Sequence, residues 1–225
     1  MKKILSLAVL LVFSLAMYAQ KDVTKFLGIP VDGTKSEMIK KLKEKGFTES
    51  SFNKEILEGE FNGMNVYIGV GTNNNKVYRI YIADANTIMD EADIRIRFNT
   101  LCQQFTNNEK YVPLPSSDYL IPDDEDISYE MNVNNKRYEA HFYQRPDSAS
   151  SFQSIVQREI SKYTDEQLES LTKEQTEKII EKLSSYAIDI MSKKCVWFMI
   201  NRRLGGYFIG MYYDNKYNQA QGEDL

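Results

Sequence analysis

KEILEGEFNGMNVYIGVGTNNNKVYRIYIA, residues 54–83, is the stretch from which the fold is read. Asn62-Gly63 lies between apolar runs, and a two-residue hairpin turn needs central residues that tolerate positive φ. Closing the turn there predicts Phe61 opposite Met64, Gly59 opposite Val66 and Leu57 opposite Ile68. All share one face, because strand side chains alternate. A second turn around Asn73-Asn74 predicts Val70 opposite Val77, Ile68 opposite Arg79 and Val66 opposite Tyr81. The expectation is an antiparallel meander with one apolar face, carrying Leu57, Phe61, Val66, Ile68, Val77 and Tyr81. Arg79 is the misfit there, expected at the sheet margin or paired with Glu55. The other face, with Tyr67, Gly69, Tyr78, Ile80 and Ile82, is either core or an interface.

The cover for the apolar face comes from upstream. Thr34 and Glu37 have the spacing of a capping box, and Met38, Ile39 and Leu42 form the apolar stripe of a helix over 35–45. Gly46 stops it. Downstream, Ile94, Phe98, Leu101, Cys102 and Phe105 line one side of a second helix, roughly 90–106. Residues 110–126 then hold three prolines, two serines and an acidic run, the pattern of a connection. The acidic run lacks the alternating ligands and glycine of a calcium loop.

Beyond it, residues 127–143 alternate around Asn134-Asn135 as a second hairpin, with Met131 opposite Tyr138, Tyr129 opposite Ala140 and Ile127 opposite Phe142. That register puts His141 on the polar side. Capping-box spacings at 150–153, 164–167 and 172–175 start further helices. The last of these carries Ile179, Ile180, Leu183, Ala187, Ile190 and Met191 as a stripe of the width that lies on a sheet. A third hairpin joins 195–200 to 207–213 across a turn at 202–206, and the tail from 214 is expected to fray. The domain reading is 1–19 signal peptide, 20–109 N-terminal half, 110–126 connection and 127–225 C-terminal half, as two halves or one continuous domain.

Lys2-Lys3, an apolar run over 4–17 and a small residue at Ala19 form the three regions of a bacterial secretory signal. The apolar run is shorter than the ~18–20 residues of a membrane span. The expectation is an exported protein, periplasmic or extracellular, with no stable membrane insertion after cleavage. Losing Lys2 and Lys3 takes the net charge from −4 to −6. An acidic chain without a basic run is unsuited to nucleic acid, whose binding rests on neutralising phosphates. Cys102 and Cys195 either form a disulfide, which in the chain-entropy account restricts the unfolded state by about 4–5 kcal/mol, or sit as two buried thiols.

The catalytic inventory is thin. His141 is the one histidine, so a zinc site of the usual composition is not expected, nor is any other metal or cofactor. The chain holds no Gly-x-Ser-x-Gly, His-Glu-x-x-His or Cys-x-x-Cys, and no glycine loop opening a helix. A carboxylate pair of the glycosidase kind is left open by 32 acidic residues. Fifteen tyrosines are many, and Tyr combines a rigid contact area with a polar tip. Tyr67, Tyr78, Tyr212 and Tyr213 are the candidate binding residues, set against the ordinary preference of half-buried strands for Tyr.

The run Phe26-Leu27-Gly28-Ile29-Pro30-Val31-Asp32-Gly33-Thr34, followed by Met38, Leu42, Gly46, Phe47 and a meander, resembles a group of small exported bacterial modules. These are the α+β units of the β-lactamase-inhibitor-protein-like and outer-membrane-assembly small-lipoprotein type. The likeness covers residues 26–83 and implies binding to other proteins. The chain departs from the lipoproteins in lacking an N-terminal Cys, and from the inhibitor modules in having one leading helix where they have two.

Together these readings predict an α+β protein whose antiparallel sheet is built from a three-stranded meander and two hairpins, with amphipathic helices packed on one face. The expected function is a non-enzymatic exported binding protein recognising another protein or a cell-envelope component. The alternatives are an envelope or glycan hydrolase using two carboxylates, and a small-ligand carrier.

Overall fold

Asn62 and Gly63 both take positive φ, 52° and 74°, as the tightest hairpin turn requires. The strands they join, β4 (Leu57–Phe61) and β5 (Met64–Asn73), pair with Phe61 opposite Met64 and Leu57 opposite Ile68. These come from a computed structural model that describes residues 22–114, 118–146, 156, 159–164, 166–167, 170–220 and 222. The expected signal segment lies outside the described residues; of the helix expected after the 150–153 box, residues 156, 159 and 160 are described and are helical.

The next pairing departs from the expected register. β6 (Lys76–Asp84) sets Val70 opposite Ile80, Ile68 opposite Ile82 and Val66 opposite Asp84. Two causes account for the three-residue displacement. The run of three asparagines turns at Asn74-Asn75, both at positive φ, one residue later than expected. A bulge beside Gly71 and Thr72 then leaves Tyr78 as an extra residue on β6. The shift brings Ile80 and Ile82 into the core beside Val77, which was expected there, and turns Arg79 and Tyr81 outward. Arg79 is therefore no misfit; the register chosen is the one that buries the isoleucines.

Among the described residues, eight strands form one antiparallel sheet in the order β3 (Thr48–Glu49), β4, β5, β6, β10 (Gly206–Asn215), β9 (Lys194–Arg203), β8 (Glu139–Gln144) and β7 (Tyr111–Pro113). The last strand of the chain, β10, is inserted between β6 and β9, so the N-terminal and C-terminal stretches share one sheet. A two-stranded ribbon, β1 (Lys25–Phe26) and β2 (Ile29–Pro30), stands apart from it.

The inner face of the sheet is covered. Helix α1 (Lys35–Glu44) starts at the Thr34–Glu37 capping box and buries Met38 and Leu42. Helix α2 (Glu91–Thr106), capped by Asp90, buries Ile94, Phe98, Leu101, Cys102 and Phe105. Phe98 and Phe105 meet Phe198 at ring-centroid distances of 5.3 and 5.5 Å. Each such side chain removed from water stabilises the fold by about 1.5–3 kcal/mol.

Three expectations are corrected. Residues 127–132 are a helix, α3 (Ile127–Asn132), rather than the first strand of a hairpin, because Asp126 of the acidic run accepts the Tyr129 N–H at 2.8 Å and caps it. β8 pairs instead with β7 and β9. The long helix, α4 (Lys173–Ser192), begins at its Thr172–Gln175 box and touches β8 and β9; Ile179, Leu183, Ala187, Ile190 and Met191 of its stripe are half-buried, and Ile180 is more than half exposed. The tail is held: the Asn218 side-chain amide donates to Asp32 and to the Val77 carbonyl, both at 2.8 Å. Cys102 and Cys195 are free, buried thiols. Among the described residues no helix is long and apolar enough to cross a membrane.

Candidate functional site

The outer face of the central strands carries a continuous row of rings. Register alone sets it: Tyr81 on β6 lies opposite Tyr212 on β10, Tyr212 opposite Trp197 on β9, and Trp197 opposite His141 on β8. Neighbouring strands are about 4.8 Å apart, so rings opposite one another can stand face to face. Here they do. Trp197 and Tyr212 stack at 3.9 Å and 11°, and His141 stacks on Trp197 at 5.4 Å and 7°. Tyr81 is tilted by 34° on Tyr212 at 4.9 Å. All four side chains are half-buried.

An ionic brace runs beside the row. The Arg79 guanidinium donates to both oxygens of Asp214 at 2.6 and 2.7 Å, and the Trp197 indole N–H donates to the same carboxylate at 2.9 Å. The guanidinium carbon also lies 4.9 Å from the Tyr212 ring centre and 5.6 Å from that of Trp197. The hydrogen bonds to Asp214 raise the Arg79 pKa and keep it cationic. Burial pushes the Tyr81 phenol up to about 12, so it is a neutral donor at ordinary pH. Glu139, next to the far end of the row, is bound to Arg137 at 2.7 Å and lies 3.5 Å from His141.

The four candidate tyrosines do not gather at one place. Tyr212 is in the row. Tyr67 is on the same outer face, edge-on to the exposed Phe52 at 5.0 Å. Tyr78 is the bulge residue beside Gly71. Tyr213, the next residue after Tyr212, points inward and is buried, its ring 5.0 Å from Phe26; burial pushes its pKa well up. Trp197, Tyr81, Arg79 and Asp214 were not among the candidates. A turn at Leu204-Gly205, both at positive φ, pairs Trp197 with Tyr212 by counting, so half of the row could have been found locally.

Among the described residues, two hollows that adjoin the sheet border candidate residues. On the outer face, a depression of about 250 Å³ opens above Gly69 and Gly71, beside Tyr81 and Arg79. On the inner side, a cleft of about 920 Å³ lies between the β1–β2 ribbon and the end of α2. Phe61, Phe105 and Tyr111 form its floor, and Gln104, Asn107 and Lys110 its rim. Among the described residues no group of His, Cys, Asp and Glu is placed to hold a metal ion. Comparison with protein-family models, curated proteins and solved structures finds no match to this chain, so its geometry carries the functional reading alone.

Proposed function

We propose that this chain is an exported, non-enzymatic binding protein that recognises another protein or a cell-envelope component through the outer face of its sheet. The observation that carries the reading is the Tyr81–Tyr212–Trp197–His141 row, half-buried on four adjacent strands and braced by the Arg79–Asp214 pair. Rigid aromatic side chains lose little freedom on binding and supply large contact area, which is why Tyr, Trp and Arg dominate binding energy at interfaces. Export is supported by the basic, apolar and small-residue order of residues 2–19.

The electrostatics run against the hydrolase alternative. A general acid needs a carboxyl whose pKa is raised. Among the described residues, the carboxyls displaced from the usual range, Glu37, Glu49, Glu125 and Glu159, are all pushed down, by a backbone N–H of Thr34 or by lysine partners. The two carboxylates nearest the row are held by arginines.

Hydroxyl-radical footprinting of the full chain, with and without an envelope extract, tests the reading. Protection of Tyr81, Trp197, Met199 and Tyr212 supports it. Unchanged oxidation at those residues, with turnover of a glycan or peptide library, overturns it. A second reading, a small-ligand carrier, has its own observation in the inner cleft, whose volume is that of a ligand site. Protection confined to Phe105 and Tyr111 would favour it.

A further inference from the structure

The aromatic row ends at a vacancy. Across β5 from Tyr81, the opposing residue is Gly69, and counting on along the β4–β5 register puts Ile56 on its far side. Large side chains therefore stand on both neighbours of a position that has none. Nothing local demands glycine there. Its φ is not positive, and a Cβ would find only ordinary contacts, 3.7 Å to Ile56 Cδ1 and 4.0 Å to Tyr81 Cδ1. The other strand glycines differ. A Cβ on Gly59 would fall 2.6 Å from the Phe47 ring, one on Gly210 2.6 Å from Asn201, and one on Gly206 2.9 Å from Thr87. Glycine inside a strand weakens it, and apart from bulges and bends it marks places where a ligand or another backbone approaches closely.

The geometry of the row says what fits. A ring above Gly69 would sit one strand spacing, about 4.8 Å, from Tyr81. That is the distance, 4.9 Å, at which Tyr212 meets the other face of Tyr81. The hollow of about 250 Å³ has the size of a large aromatic side chain, and Ile56 closes its far wall. Its charged walls are already paired: Lys35 with Glu55 at 3.1 Å, and Arg79 with Asp214. The Asn53 side-chain Oδ1 accepts the Glu55 N–H at 2.9 Å. A neutral ring is thus matched in charge. A hydroxyl-rich sugar would meet a wall of Ile56, Gly69, Gly71 and the Tyr81 ring, and a nucleotide would meet an acidic chain.

Resting on the outer face as the binding surface, we propose that the slot above Gly69 receives an aromatic side chain from a partner polypeptide. That side chain inserts between Tyr81 and Ile56 as the next ring of the row.

The test titrates the full chain with a blocked Gly-Trp-Gly tripeptide, following the amide resonances of Gly69, Gly71 and Tyr81. Blocked Gly-Leu-Gly, adenosine and methyl glucoside serve as the comparison probes. The expected result is saturable shifts at these amides with the Trp peptide alone, weakened about tenfold or more by Gly69→Val, whose melting temperature does not fall. If Gly69→Val perturbs the fold, Gly69→Ala is the second variant, with a smaller loss expected. Shifts with adenosine or methyl glucoside but not the Trp peptide, no shift with any probe, or equal binding by the filled-slot variant would each overturn the inference. The failures are separable. Binding of envelope partners that survives Gly69→Val but is lost on Trp197→Ala sinks the slot and leaves the outer face standing.

Discussion

Arg79 and Asp214 face each other directly across β6 and β10 and are joined by two hydrogen bonds, 2.6 and 2.7 Å long. The pair links the N-terminal meander to the last strand of the chain, and through the indole N–H of Trp197 it also fixes the neighbouring strand. Asp214 is almost fully buried, so removing it strands a guanidinium and an indole donor together. Asp214→Ala is expected to cost about 3–5 kcal/mol in urea unfolding, with Asp214→Asn losing less because it keeps one acceptor. An Asp214→Ala cost below about 1 kcal/mol would show that the brace does not hold the two parts of the sheet.

The strand glycines separate into two kinds under substitution. Gly59→Ala drives a methyl into the Phe47 ring in the core and should destabilise by about 1–3 kcal/mol. Gly69→Ala meets no crowding and should leave stability unchanged or raise it by about 0.5–1 kcal/mol. Thermal unfolding of the two variants side by side checks this, and equal losses would mean that Gly69 is structural after all.

The two thiols should be inert in the folded chain. Burial pushes Cys102 up to about 12 and Cys195 up to about 11, so neither holds appreciable thiolate at pH 8. Titration with a chromogenic disulfide is expected to find two thiols in guanidinium without reductant, reacting at least about a hundredfold faster than in buffer. None in guanidinium would mean a disulfide.

Alkaline pH should weaken the fold before it touches the charged pairs. Tyr81 and Tyr213 have folded-state values above 10, both through burial, so the unfolded chain releases these protons first. Their contribution is complete below about pH 9 and is lost as pH rises through 10 towards 12. Urea midpoints between pH 8 and 11.5 are expected to fall above 10, with the 295 nm absorbance of buried phenolate rising only on unfolding. Stability that climbed over that range would contradict the burial of Tyr213.

Local chemistry was legible from the residues alone. Thr34 with Glu37 and Thr172 with Gln175 are capping boxes, Asn62-Gly63 is the turn, and the five apolar residues of α2 are all buried. What escaped was register wherever more than one solution existed. Three asparagines offered two turns, and one extra residue at Tyr78 completed the slip that carried Ile80 and Ile82 inward and Arg79 and Tyr81 out. The helix at 127–132 was hidden because ISYEMN satisfies both alternation and helical spacing, and the Asp126 cap decides between them. The aromatic row was out of reach for a different reason. It needs β10 beside β6 and β8 beside β9, pairings between residues more than fifty positions apart that no local pattern encodes.

The most direct test of the outer face as the binding surface is quantitative co-sedimentation of the full chain with an envelope protein fraction, comparing three proteins. These are the unaltered chain, Trp197→Ala with Tyr212→Ser on the outer face, and Lys110→Glu on the inner cleft, each shown to be folded beforehand. The outer-face variant is expected to lose at least about tenfold in bound fraction, while the cleft variant binds as the unaltered chain does. Equal binding by the outer-face variant, or loss confined to the cleft variant, would contradict this reading.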